Sequence, residues 1–139
     1  MTESNSKVFL DSNIWIYHFA QDSFQKSSAI ATIILESDEI LISTQVLGEL
    51  YNVFTRKKIF AASDVQKIVE RLIEDFNPVA IASEQVVKAI EIRGRYGFSY
   101  WDSLIVATAL LSGCSILYSE DMQHDQVIEN TLKIINPFI

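Results

Sequence analysis

The sequence predicts an α/β fold, a three-layer sandwich with helices on both faces of a mostly parallel central sheet. Short apolar runs alternate with amphipathic stretches along the whole chain, as strands and helices do in such folds. Gly and Pro are scarce, four and two in 139 residues, which disfavours a turn-rich all-β design and suits long helices. The first apolar run, Val8-Phe9-Leu10, is continuous rather than alternating, the mark of a strand covered on both faces.

The elements follow in order. Lys7 to Asp11 reads as that first strand. Ser12 and Asn13 are helix-starting residues before Ile14-Trp15-Ile16-Tyr17, and an Asn13 cap would leave Asp11 free. A helix from about Ser23 to Ser37 places Ile30, Ile33 and Ile34 at helical spacing. Glu39 to Ser43 is a second strand, and the helix after it, to about Lys58, carries Val46, Leu47, Leu50 and Phe54 on one face. Ser63-Asp64-Val65-Gln66 has the form of a capping box. Asn77-Pro78 ends that helix before Val79-Ala80-Ile81, a third strand or an extended link. Ser83 caps a helix to about Tyr96, and Ser99 caps another to about Ser112. A turn at Gly113, a strand from Ser115 to Ser119 and a last strand from Leu132 to Ile135 complete the map.

With 49% hydrophobic and 11% aromatic residues, the chain can bury a substantial core. Residues 1–139 read as a single domain, without repeat or linker. Cys114 is the only cysteine, so no intrachain disulfide forms, and its apolar neighbours mark it as a small buried hydrophobe. The start, Thr2-Glu3-Ser4-Asn5-Ser6, lacks the basic and apolar regions of a signal peptide. The uncharged run Ser103 to Ser119 is broken by Gly113 and serines and falls short of a membrane span. A soluble, cytoplasmic protein with no membrane association is the expectation.

Acids stand where apolar segments end or helices begin. Asp11 closes Val8-Phe9-Leu10, Glu49 lies one turn into its helix, Asp102 opens an all-round apolar helix, and Asp121 follows Ile116-Leu117-Tyr118. Singly, each has an ordinary explanation. Asp11 suits a turn, Glu49 an exposed helical edge beside Gln45, Asn52, Val53 and Arg56, and Asp102 a capping box with Ser99. Asp121 suits a solvated loop that also holds Glu120 and Asp125. In a parallel sheet, however, ligand sites gather beyond the carboxyl ends of the strands. Four acids meeting there would repel one another, and they make physical sense as a cradle for a hard divalent cation.

Four segments, in this order, resemble the PIN-domain family of ribonucleases, and within it the VapC-type toxins of bacterial toxin–antitoxin pairs. They are Val8-Phe9-Leu10-Asp11-Ser12-Asn13, Ser43-x-x-Val46-Leu47-x-Glu49-Leu50, Tyr100-Trp101-Asp102-Ser103-Leu104-Ile105-Val106-Ala107-Thr108-Ala109 and Leu117-Tyr118-Ser119-Glu120-Asp121-Met122. The resemblance implies Mg²⁺ or Mn²⁺ in the acidic pocket and hydrolysis of RNA phosphodiester bonds. Position by position, Asp11, Glu49, Asp102 and Asp121 match the catalytic and metal-binding quartet, Asn13 and Ser119 match supporting polar positions, and Asp125 has no counterpart.

Mg²⁺ keeps several waters, so few carboxylates ligate it directly while others hold its waters. Ser43, Ser99 and Ser103 lack an evident His–acid pair, which disfavours a hydrolase triad. With only oxygen ligands in the cluster, zinc is disfavoured. His124 reads as a surface loop residue. Arg56, Lys57 and Lys58 end the Glu49 helix and are candidates to hold RNA phosphates; Arg93 and Arg95 are a second pair. Trp15, Tyr17, Phe19, Tyr100 and Trp101 suit core or dimer packing better than base stacking.

A net charge of −7 is unlike most nucleic-acid binders and fits a basic or mixed-charge protein partner better. A small antitoxin is therefore expected, entering the acidic cleft with Arg or Lys. Ile14, Trp15, Ile16 and Phe19 are candidates for its apolar groove or for a homodimer face. Two alternatives compete with a ribonuclease: a PIN-like scaffold that binds RNA or protein without cutting, and a phosphoacceptor signalling domain. The latter wants a central phosphorylatable Asp and a later strand-end Lys, and neither is placed here.

Overall fold

The computed structural model describes residues 6–139; the expectation for Thr2–Asn5 lies outside them. A five-stranded sheet runs in the order β2-β1-β3-β5-β4. Strand β1 (Lys7–Leu10) pairs in parallel with β2 (Glu39–Leu41) on one side and β3 (Ile116–Tyr118) on the other. Strand β5 (Leu132–Ile135) runs parallel to β3, and β4 (Val127–Ile128) closes the edge antiparallel. Val8, Phe9 and Leu10 are all fully buried, so both faces of the sheet are covered, and the predicted three-layer α/β class stands.

Among the described residues six helices fill the connections: α1 (Ser12–Ala20), α2 (Phe24–Glu36), α3 (Thr44–Arg56), α4 (Ala62–Phe76), α5 (Ser83–Tyr96) and α6 (Tyr100–Leu111). Seven consecutive residues of α6, Ser103 to Ala109, are buried. This is why its sequence shows no polar face: the helix is surrounded by protein on every side. No helix among the described residues is long and apolar enough to cross a membrane.

Several local expectations need correction. Asn13 does not cap α1; Asp11 holds the cap position, accepting from the Ser12 backbone N–H at 2.7 Å. Ser63 does not cap α4, which starts earlier, at Ala62, with Ala61 as an N-cap that makes no side-chain bond. The Gln66 amide instead donates to Glu70 one turn on, at 3.3 Å, so the capping-box pattern is spent inside the helix. Ser83 is likewise the first helical residue, and Gln85 closes that end by accepting from the Ala82 N–H at 2.9 Å.

Other boundaries fall as predicted. Ser99 caps α6, accepting from the Asp102 N–H at 3.1 Å. Asn77 ends α4 in the left-handed conformation (φ 48°), tolerable for Asn, and Pro78 keeps the helix from continuing. Val79 makes only an isolated bridge to Ser43, so Val79–Ile81 is an extended link. Strand β4 had no counterpart in the sequence map, because two residues are too short to show a period.

Candidate active site

The chain leaves β1 for β2 on one side, and β3 lies on the other, so the sheet order switches at the β1–β3 pair. A crevice at such a switch, beyond the carboxyl ends of the strands, is where this architecture places its ligands. Register sets Leu10 opposite Tyr118, and the next residues, Asp11 and Ser119, emerge side by side. The Asp11 N–H donates to the Tyr118 carbonyl at 3.0 Å.

Ser119 is fully buried and joins the two strand-end acids. Its hydroxyl donates to Asp11 Oδ2 at 2.8 Å and accepts from the Asp121 N–H at 3.2 Å. Asn13 completes the frame from α1: its amide donates to Asp121 Oδ2 at 3.1 Å, while its carbonyl accepts from the Glu120 N–H at 3.3 Å. The supporting parts expected of Asn13 and Ser119 thus have a geometric basis.

Asp11 is only 5% exposed. Burial pushes its carboxyl up from 3.8 to about 6; the Ser119 and Ser12 hydrogen bonds pull back, and Glu49 and Asp102 push further. Glu49, half-buried on α3, is also raised, first by burial, with the Ser12 and Gln45 side chains opposing and Asp102 adding repulsion. Its Oε1 is buried without a hydrogen-bond partner. Asp102, in the first turn of α6, is raised by burial and then by Asp121. Repulsion therefore links Asp11 to Glu49 and Asp102, Glu49 to Asp102, and Asp102 to Asp121, so all four acids share one field.

Among the described residues, no group of three or more His, Cys, Asp or Glu side chains is disposed to hold a metal ion as it stands. The chemistry of the donor set nevertheless fits a hard divalent cation. Every candidate donor is a carboxylate oxygen. Glu49 Oε1 is buried with no hydrogen-bond partner, and burial raises the Asp11 carboxyl to about 6 with Glu49 and Asp102 adding to it, so a cation there would meet oxygens that nothing else compensates.

Ser12 is a residue the sequence map read only as a helix starter. It sits between Asp11 and Glu49 and lowers the pKa of both; its place beside Asp11 in the first motif was the available signal. Glu120 needs correction. It is no solvated loop acid: Tyr17 Oη donates to its Oε1 at 2.6 Å and Lys26 Nζ to its Oε2 at 2.7 Å. Burial alone would raise its carboxyl, yet Lys26 and Tyr17 hold it below the usual range.

The remaining candidates separate by packing. Trp15 is 1% exposed and stacks on Phe19 inside an aromatic cluster with Phe76. Ile14 is fully buried, so it faces no partner. Trp15 and Phe19, with Leu72 and Phe76, border a cleft of about 430 Å³ among α1, α2 and α4. Arg93 Nη1 donates to the Phe98 carbonyl at 2.7 Å, and Arg95 pairs with Glu129 at 3.2 Å; both serve the fold. His124 Nδ1 accepts from the Asn136 N–H at 3.0 Å and pins a loop. Arg56, Lys57 and Lys58 are exposed at the end of α3, and none pairs with an acid among the described residues.

The fold matches solved structures closely in shape and weakly in sequence. VapBC2 from Rickettsia felis, bound to a DNA fragment from its promoter, superposes with a TM-score of 0.68 at 17% identity, covering 93% of this chain and 98% of that one. A toxin–antitoxin complex from Klebsiella pneumoniae gives 0.69 at 19%, over 95% and 98%. The sarcin–ricin-loop-cleaving toxin VapC20 of Mycobacterium tuberculosis gives 0.65 at 18%, over 80% and 87%. No curated protein matches the sequence. The PIN-domain family model, by contrast, matches residues 8–130, a span that opens just before Asp11, takes in Glu49 and Asp102, and closes beyond Asp121. The chain belongs to the PIN-domain family.

Proposed function

We propose that this chain is a divalent-metal-dependent endoribonuclease and the toxin of a toxin–antitoxin pair, with Asp11, Glu49, Asp102 and Asp121 holding Mg²⁺ or Mn²⁺. The observation that carries the proposal is Asp11: a carboxyl 5% exposed and raised by burial to about 6, at the sheet's switch point, with Glu49 and Asp102 pushing it further. A fold does not sustain such a group for stability. When bound, a divalent ion supplies Lewis-acid polarisation of the scissile phosphate and acidifies the attacking water. The chain's own residues hold the donors in place. Ser119 and the Ser12 N–H fix Asp11, Asn13 fixes Asp121, and Glu49 keeps Oε1 free for a new partner. Exposed Arg56, Lys57 and Lys58, about 10 Å along α3 from Glu49, offer cations to the RNA backbone.

The test is cleavage of single-stranded RNA by the purified protein with Mg²⁺ or Mn²⁺, and again after EDTA. Cutting that stops in chelator and returns with metal is expected; undiminished cutting in EDTA sinks the metal mechanism. Among the described residues no acid trio is disposed to hold a metal as it stands, which favours one second reading, a PIN-like scaffold that binds without cutting. It predicts RNA binding with no product under either metal. Family membership leaves no ground for a phosphoacceptor domain.

Similar folds occur in toxin–antitoxin complexes, which supports a small antitoxin as partner; we propose the same pairing here, in a cytoplasmic setting and with the toxin itself a homodimer. A charge of −7 suits a partner that presents Arg or Lys to the acids. Co-expression with the adjacent reading frame should yield a stable complex that cuts RNA poorly. A lone, active and non-toxic protein would count against the toxin assignment and leave a housekeeping nuclease.

A further inference from the structure

A cleft of about 580 Å³ opens between α3 and α6, bounded by Thr44, Gln45, Gly48, Glu49, Ile81, Trp101 and Leu104. Trp101 stands at its lip, 63% exposed, although Ser103 and Leu104 just beyond it are buried. Packing does not account for so exposed an indole, since the residue contributes little to the core. Its setting is nonetheless fixed. Tyr100 packs edge-on against the ring, with centroids 5.1 Å apart and planes at 77°. Gln45 Nε2 donates to the Trp101 carbonyl at 3.1 Å, tying the start of α6 to α3. Gly48 is a mid-helix residue on the cleft wall, where a Cβ would meet no atom within 4 Å. No contact in the fold requires glycine there, and its absent side chain leaves the wall open.

The cleft is continuous with the acids. Glu49 forms part of its wall, and Asp102 follows Trp101 directly. Its occupant must offer a flat apolar face to the indole while its neighbouring group reaches the carboxylates. A protein segment that sets an aromatic side chain beside an Arg can meet both demands, and so does a nucleotide, with its base on the ring and its phosphate held at the acids through a bound cation; the ribonuclease reading above favours the nucleotide. We infer that this cleft is a nucleobase subsite, which takes one unpaired base of single-stranded RNA stacked on Trp101, beside the phosphate to be cut. The inference rests on the ribonuclease proposal above and deepens it by naming an unpaired base as the recognised group.

Trp101 emission is separable from that of Trp15, which is 1% exposed and shielded from acrylamide. Octa-adenylate, titrated into wild-type and Asp11→Asn protein with Mg²⁺, should protect the acrylamide-accessible indole. A base-free ribose-phosphate chain of the same length should not. Trp101→Leu should raise KM for single-stranded RNA about 10-fold with little change in kcat, Trp101→Phe should recover part of that loss, and Mn²⁺ affinity should stay unchanged in both.

Equal protection by the base-free chain overturns the subsite, as does an unchanged KM in Trp101→Leu; either leaves the ribonuclease proposal intact if wild type cuts RNA. An indole shielded by a co-purified protein and not by octa-adenylate assigns the cleft to that protein and also overturns the inference. Protection by octa-adenylate in a wild-type protein that does not cut sustains the subsite and removes the nuclease.

Discussion

The strand-end acids and the helix-borne acids are held in opposite ways. Asp11 and Asp121 are bound into the sheet through Ser119 and Asn13, by side-chain bonds of 2.8 and 3.1 Å that reach across more than a hundred residues of sequence and a third of 3.2 Å within the turn. Glu49 and Asp102 ride on α3 and α6, and Glu49 keeps a buried oxygen with no partner. Between those two helices, at the site, stands the Gln45–Trp101 hydrogen bond at 3.1 Å. Parallel strands in register fix one half of the site by bonds across the sheet; in the other half two packed helices set where the acids stand, and the Glu49 oxygen is left without a partner. A cation would meet Asp11 already held and the Glu49 oxygen still free.

The largest expected effect breaks the fixed half. Asp11→Asn should lower RNA cleavage on the order of 100-fold or more. It should also alter stability, with a definite sign. The Asp11 carboxyl is raised from 3.8 to about 6, so over that window the folded state binds the extra proton. Without metal, this group's contribution to stability falls as pH rises from about 4 to about 6 and is fully unfavourable above. That penalty is on the order of 3 kcal/mol. Asparagine removes it but leaves the Ser12 N–H and Ser119 O–H donors sharing one amide oxygen, which costs about 1–2 kcal/mol. Asp11→Asn should therefore be more stable than wild type in EDTA above pH of about 6, by about 1 kcal/mol, with the advantage gone below about 4. Glu49→Gln should lose activity just as heavily with a weaker pH signature, since its carboxyl is only partly buried. Urea unfolding across pH checks both; equal pH signatures would erase the distinction between the halves.

What the sequence disclosed follows the same divide. Strand ends announce themselves, because Val8-Phe9-Leu10 and Ile116-Leu117-Tyr118 are apolar runs whose first polar residues must lie at the sheet's rim. That is how Asp11 and Asp121 were legible, while Ser119 came only with the family resemblance, and Ser99 marked Asp102 by capping its helix. Cap identities elsewhere were not legible. Ser63 and Ser83 carry the right chemistry, but α4 begins at Ala62 and α5 at Ser83 itself, so backbone placement outranked side-chain preference. Ser12 escaped notice because its link to Glu49 spans elements far apart in sequence. Glu120 was misjudged because Tyr17 and Lys26, which enclose it, lie about a hundred residues earlier. Trp101 showed only as an aromatic residue in an apolar helix; its exposure is a fact of packing.

A smaller effect should follow from loosening the hub while keeping every acid. Ser119→Ala removes the donor to Asp11 Oδ2 and the acceptor of the Asp121 N–H together. Losses of supporting hydrogen bonds around a metal site run about 10- to 100-fold, and a value there is expected for Mn²⁺ affinity and for kcat. With one lowering influence gone, the Asp11 carboxyl moves higher still, so the rise of activity with pH should shift upward. Ser119→Cys, which keeps a weak donor, should fall between. An unchanged pH profile in Ser119→Ala would mean that burial alone governs Asp11, and that Ser119 merely fills space.

The smallest effect tests how far the fixed half extends. Glu120 is turned away from the acids, yet it anchors the turn that carries Asp121: its side chain is bound by Tyr17 at 2.6 Å and Lys26 at 2.7 Å, and its N–H is held by Asn13. The sequence alone predicts that replacing it is nearly silent; the structure predicts otherwise. Glu120→Gln keeps the shape but weakens the bond to Lys26, and should cost activity a few-fold, below the roughly 10-fold floor for direct supporting partners. Glu120→Ala should cost more, because it also strands the half-buried Lys26 ammonium and the Tyr17 hydroxyl. The Glu120 carboxyl sits below its usual range, so its contribution to stability is present at neutral pH and lost as pH falls through that lowered value, opposite in sign to Asp11. Mn²⁺ affinity is the discriminating readout. If Glu120→Ala lowers melting temperature while leaving Mn²⁺ affinity and kcat untouched, the carboxylate braces only the fold, and the rigid frame ends at Asn13 and Ser119. If affinity falls, the frame reaches from the sheet through Glu120 to α2, and the acid that looked most like its neighbour Asp121 acts by holding it.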